Sequence, residues 1–183
     1  MLIDSSQATL LVIDVQEKLI GAVSDPDGTL ARTRWLLAAT AELGLPTVIS
    51  EQYPKGLGHT VASLLEVAGT ATVVEKQHFS CVAGKCLPAS LLAREQVIVC
   101  GMETHVCVLQ TVLELLALGK QVFVVADACD SRTAFSKTTG LERMRDAGAQ
   151  IVTREMVLFE LMRSAGHEKF RTISKTFLVG EQP

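Results

Sequence analysis

Three residues able to carry hydrolytic chemistry follow apolar runs in the chain. Asp14 comes directly after Ala8 to Ile13. Lys76 follows Ala71 to Val74 with Glu75 between, and Cys107 lies just beyond Gln96 to Cys100, in Gly101-Met102-Glu103-Thr104-His105-Val106-Cys107. Of the five cysteines, Cys107 has the most reactive setting, because it falls in the first turn of a predicted helix. A helix N-terminus carries about half a positive charge and free N–H groups, and both favour a thiolate. A free thiol has a pKa of about 8.5, and lowering it by about two units takes about 2.7 kcal/mol, which the helix terminus and one lysine can supply.

Singly, these residues are ordinary: an acid at a strand end is usually just solvated, and a buried cysteine is usually inert. Their joint placement carries the weight. The other thiols read as structural. Cys100 lies inside a strand, and Cys129 is expected in a loop between Ala128 and Asp130. Cys81 and Cys86, with His78 near, invite a zinc reading, but their spacing is not C-x2-C and no second pair follows. His59, His78 and His167 make no metal spacing, so neither a metal nor a cofactor is expected. His105 could serve Cys107 as a base only if it preceded the regular helix, since residues two apart on a helix face different ways.

These residues need elements to position them. Strands are predicted at Ala8 to Ile13, Pro46 to Ile49, Ala71 to Val74, Gln96 to Cys100, Gln121 to Ala126 and Gln150 to Val152. Most are continuous apolar runs, the pattern of strands buried on both faces of a parallel sheet. Helical patterns lie between and after them: Gly28 to Leu43, Thr60 to Val67, Leu87 to Arg94, His105 to Leu118, Ser136 to Ala147, Met156 to Arg163 and Glu168 to Lys175. Strand and helix alternate throughout, which implies an α/β fold with right-handed crossovers. In such a sheet ligands bind outside the carboxyl ends of the strands, near the point where strand order reverses. Asp14, Lys76 and Cys107 all leave strands at that edge. Gln16, Tyr53, Phe79, Thr104 and His105 are expected to wall the pocket there, and few of these candidates are charged, which points to a small, weakly charged substrate.

The 183 residues fit one domain over 1–183 and can bury a core without disulfide staples. A hydrophobic content of 48% excludes a disordered chain, and a net charge of −3 offers no basic footprint for nucleic acid. No apolar run reaches the roughly 18 residues of a membrane span. Residues 1–7 carry Asp4 and no basic stretch, so a signal peptide is not expected; with an odd, sparse set of thiols, a reducing cytoplasm is the expected location.

Leu11-Val12-Ile13-Asp14-Val15-Gln16, then Glu75-Lys76 with Phe79-Ser80, then Gly101 to Val108 resemble the isochorismatase-like cysteine hydrolases, as does Val124-Val125-Ala126-Asp127-Ala128. The loop Glu51 to Gly58 and the Glu103-Thr104-His105 triplet look most like the small isochorismatase-domain proteins. The resemblance covers essentially the whole chain, and the three motifs are specific in this order. It implies a doubly wound, three-layer fold with a central six-stranded parallel sheet, and a homo-oligomer. It also implies a catalytic aspartate at Asp14, lysine at Lys76 and nucleophile at Cys107. The family's cis peptide would join Met102 to Glu103 at a cost of about 3–4 kcal/mol, turning the Glu103 N–H into an oxyanion hole with the Cys107 N–H. One such donor is worth about 2.7–4 kcal/mol in the transition state.

The implied reaction is attack of Cys107 on an amide or carbamoyl carbon of a small molecule, with Asp14 moving the proton and Lys76 offsetting the charge crowding. Family nicotinamidases bind a metal through an acid and histidines after the second strand; Glu51-Gln52-Tyr53-Pro54 lacks those histidines. Isochorismatase-type vinyl ether hydrolysis and a silent, thiol-sensing protein are the alternatives.

Overall fold

The computed structural model describes residues 1–179; the last residues of the domain expected over 1–183 lie outside them. Six strands form one parallel sheet: β1 (Ala8–Ile13), β2 (Thr47–Gln52), β3 (Thr72–Lys76), β4 (Gln96–Met102), β5 (Gln121–Asp130) and β6 (Gln150–Val152). Their spatial order is β3-β2-β1-β4-β5-β6. The chain thus starts at the centre, winds outward to one edge, and returns to wind outward to the other. This is the doubly wound arrangement, and its order reverses between β1 and β4.

The helices are α1 (Glu17–Ile20), α2 (Pro26–Glu42), α3 (Pro54–Leu57), α4 (Ala62–Leu65), α5 (Ala89–Leu92), α6 (Leu109–Ala117), α7 (Ala134–Asp146), α8 (Arg154–Met162) and α9 (Phe170–Ile173). π-helical turns at Thr104–Val108 and Ser174–Leu178 open α6 and extend α9. α2 begins earlier than the apolar stripe suggests, because Asp25 caps it by accepting from the Gly28 N–H at 3.1 Å, with Pro26 in the first turn.

The apolar runs sort by position in the sheet. Every residue of β1 and β4 is buried, as central strands covered on both faces must be. β3 has a similar apolar run but occupies an edge: Thr72, Val73 and Glu75 are exposed and only Lys76 is buried. β5 is longer than expected and contains Cys129, which is a buried strand residue and not a loop residue. The extra length is taken up by a register shift against β4, where Val99 pairs with Val124 but Gly101 pairs with Cys129.

Gly101 has φ +132°, and a Cβ built there would lie 2.1 Å from the carbonyl oxygen of Ile13. Only glycine lets β4 run so close to β1 at the reversal point. The peptide bonds of the described residues are all trans, so the expected cis bond between Met102 and Glu103 is absent. The chain instead turns at Glu103 through a left-handed conformation, φ 55° and ψ 63°.

Candidate active site

Asp14 ends β1 with φ 55°, an uncommon conformation for a residue with a side chain. Its carboxylate is 1% exposed and fully engaged: Oδ1 accepts from the Ser50 hydroxyl at 2.7 Å, and Oδ2 from Lys76 Nζ at 2.6 Å. Lys76 sits on β3, two strands from β1, so its long side chain must cross the end of β2. It is held on the way by Gln52, whose Oε1 accepts from Nζ at 2.7 Å. Ser50 and Gln52 are not among the site residues expected from the sequence, although both stand at the end of its second strand. Their signal is position alone: both follow the apolar run of β2 at the same carboxyl edge.

Cys107 lies in the π-helical turn after β4, where the charges of Asp14 and Lys76 both act on its thiol. The structure therefore brings together the acid, the lysine and the thiol that the sequence singled out. It reverses the electrostatic expectation for the thiol. Burial first, and then the negative charge of Asp14, push Cys107 up to about 12, and Lys76 opposes this only in part. Lys76 itself is pulled down by burial, but Asp14 and Cys107 outweigh that and raise it. The resting site is a neutral thiol beside a buried ion pair.

The proposed pocket walls divide. Gln16 is fully buried and braces the β2 end: its Nε2 donates to the carbonyls of Gln52 and Gly58, and its Oε1 accepts from the Gln52 N–H. Thr104 is also fully buried and donates its hydroxyl to the Asp130 carbonyl. Neither side chain is free to line a cavity. His105 Nδ1 lies 3.1 Å from the Ser131 hydroxyl and 3.4 Å from Glu103 Oε2, so it is engaged away from the thiol. Phe79 is exposed and lies outside the cavity that Tyr53 lines. That cavity, about 670 Å³, runs from Tyr53 and Lys55 past Glu75 and His78 to Lys76 and Gly84. It carries more charge than the sequence candidates suggested.

Two further acids support the site from behind. Asp130 accepts from Ser24, Thr29 and the N–H groups of Asp25 and Ser131, which locks the end of β5 to the start of α2. Glu51 accepts from the Thr60 N–H and hydroxyl, both at 2.7 Å, and faces His59 at 3.0 Å. Burial raises the Glu51 carboxyl, but these bonds outweigh it and hold it below the usual range. Among the described residues no group of three or more His, Cys, Asp or Glu side chains is arranged to hold a metal ion.

Asp14 and Cys107 thus follow the two strands at the reversal point of a doubly wound parallel sheet, and Lys76 reaches Asp14 from the edge strand β3. The Isochorismatase domain family model matches residues 8–156, and the chain belongs to that family. The secreted isochorismatase effector Isc1 of Phytophthora sojae is 38% identical over 174 residues, covering 92% of this chain and 83% of that protein. Among solved structures, the MAR1 ribonuclease of Caenorhabditis elegans superposes with a TM-score of 0.92 at 35% identity, covering 100% of this chain and 95% of that one. YcaC from Pseudomonas aeruginosa, solved with hexane-2,5-diol and covalent acrylamide, superposes with a TM-score of 0.89 at 28% identity, covering 97% and 92%.

Proposed function

We propose that this protein is a cysteine hydrolase that cleaves a C–N bond, amide or carbamoyl, in a small molecule. Asp14, Lys76 and Cys107 are its catalytic residues. The observation that carries this reading is the buried Lys76–Asp14 pair set against the Cys107 thiol.

With the thiol neutral at rest, its proton leaves as the sulfur attacks. Asp14 accepts that proton while the Cys107 sulfur bonds to the carbonyl carbon, and Lys76 offsets the charge gathered between carboxylate and sulfur. The Cys107 N–H, in the opening turn of the α6 helix, faces the developing oxyanion. With the Met102–Glu103 bond trans, the Glu103 N–H has no part in this oxyanion site. Asp14 then gives its proton to the leaving amine, which departs to leave a thioester. Water, deprotonated by Asp14, attacks the thioester carbon and releases the acid and the free thiol. The 6% exposure of Cys107 favours a small substrate.

The raised thiol also favours a second reading, vinyl ether hydrolysis of the isochorismatase type, in which Asp14 would act without the sulfur. The test is a panel of small amides, carbamoyl compounds and isochorismate, assayed on wild type and Cys107→Ala. Loss of C–N cleavage by at least about 10³-fold in Cys107→Ala supports the thioester route. Undiminished turnover in that variant assigns the ether reaction. A short RNA belongs in the panel because of the ribonuclease relative, although a net charge of −3 gives it no electrostatic support. We further propose one catalytic domain working as a homo-oligomer in the cytoplasm, with no bound metal.

A further inference from the structure

Cys81 and Cys86 lie outside the chemistry described above, in the segment that leads from β3 to α5. This segment folds back on itself. The Gly84 N–H donates to the Ser80 carbonyl at 3.0 Å and the Lys85 N–H to the Val82 carbonyl at 2.9 Å, with Lys85 in a left-handed conformation. The turn brings Cys86 onto Cys81: the Cys86 N–H and thiol both reach the Cys81 carbonyl, at 3.3 and 3.4 Å, so the two side chains meet across the turn and each shifts the other's titration.

The two thiols differ in the way a reactive pair needs. Cys81 is fully buried, its N–H anchored to the Thr111 hydroxyl at 3.1 Å, whereas Cys86 is only half-buried. The Cys81 thiol holds Cys86 below the usual thiol range against the opposing effect of burial, with the Lys76 charge assisting, and the same contact pushes Cys81 up. Accessible, thiolate-leaning sulfurs beside a second thiol are those that peroxides oxidise reversibly. Cys100 and Cys129 make a useful contrast: they interact across β4 and β5, but both are wholly buried.

We propose that Cys81 and Cys86 form a peroxide-sensitive dithiol that closes to a disulfide across the turn whose Gly84 lines the Lys76 cavity. The Cys86 sulfur attacks hydrogen peroxide; an S–O bond forms, the O–O bond breaks, and the departing hydroxide takes up a proton to become water. The Cys81 sulfur then attacks the sulfenic sulfur; the S–S bond forms, the S–O bond breaks, and the hydroxyl leaves with the Cys81 proton as a second water. Two thiols are oxidised by two electrons and one peroxide is reduced. The loop that tightens includes Gly84, where an added Cβ would lie 3.3 Å from the Lys76 Cβ, so the turn that closes packs against the site lysine.

The proposal does not depend on the hydrolase reading, and its test needs no substrate. The full chain is treated with equimolar hydrogen peroxide, denatured, alkylated with iodoacetamide and mapped by peptide mass. The expected product is a single Cys81–Cys86 disulfide that dithiothreitol reverses, with Cys107 still alkylated. Cys86→Ser and Cys81→Ser should both lack it, and Cys81→Ser should instead carry a sulfenic acid at Cys86, trapped with dimedone before denaturation. Five free thiols after treatment, a dimedone-trapped sulfenic Cys86 with Cys81 still alkylated in the wild type, or a disulfide through Cys107 would each overturn it.

Discussion

At the residue scale, the site depends on where one proton rests. The Cys107 thiol is pushed up to about 12, by burial first and by the Asp14 charge second. Asp14→Asn removes that charge, so the thiol should ionise more easily even as its base is lost. Alkylation of Cys107 by iodoacetamide at pH 8 should then speed up at least about threefold, while C–N cleavage falls at least about 100-fold. Unchanged values of both would show that Asp14 is only a strap for Lys76. The same variant leaves a buried lysine without its counter-charge, at an expected cost of about 3–5 kcal/mol in urea unfolding. The helix terminus that would lower the thiol is local to Cys107, whereas the burial and the carboxylate that raise it come from distant parts of the chain.

At the element scale, the strand ends matter most. Gly101→Ala would set a methyl group against the backbone of Ile13 at a positive φ, and should cost about 3 kcal/mol or more of stability. A shift in the urea midpoint of under about 0.5 kcal/mol equivalent would mean that β4 can retreat from β1. Glu51 ties the end of β2 to Thr60, and its carboxyl is held below the usual range. A lowered carboxyl contributes stability above its unfolded pKa of about 4.3 and loses it as pH falls through the folded value. Glu51→Gln should therefore be about 1–3 kcal/mol less stable at pH 7, with the gap to wild type closing in acid. A gap that stays constant from pH 7 to pH 3 would remove the charge from the account. The strands were legible because their apolar runs are continuous. The helix starts were less so: α2 begins at a cap, and α6 opens with a π-helical turn, neither of which hydrophobic spacing reports.

At the scale of the whole molecule, the exposed edge of β3 and the exposed Phe135 are surfaces that a lone chain would leave open. Light scattering coupled to size exclusion should give a mass that is a multiple of 19.7 kDa. A monomer at micromolar concentration would refute the homo-oligomer. No helix among the described residues is long and apolar enough to cross a membrane.

Sequence by itself determined the alternation of strand and helix, hence the layered parallel sheet, and it placed Asp14, Lys76 and Cys107 after strands whose carboxyl ends share one edge. These properties are local, carried by apolar runs and the residues that follow them. Only the tertiary structure decided which strands became edges, that Lys76 crosses β2 to reach Asp14, that Gln16 and Thr104 point into hydrogen bonds and not into a pocket, and that the thiol rests neutral. Each of those depends on side chains that meet across the sheet, where direction, burial and charge are set by neighbours far away in the chain.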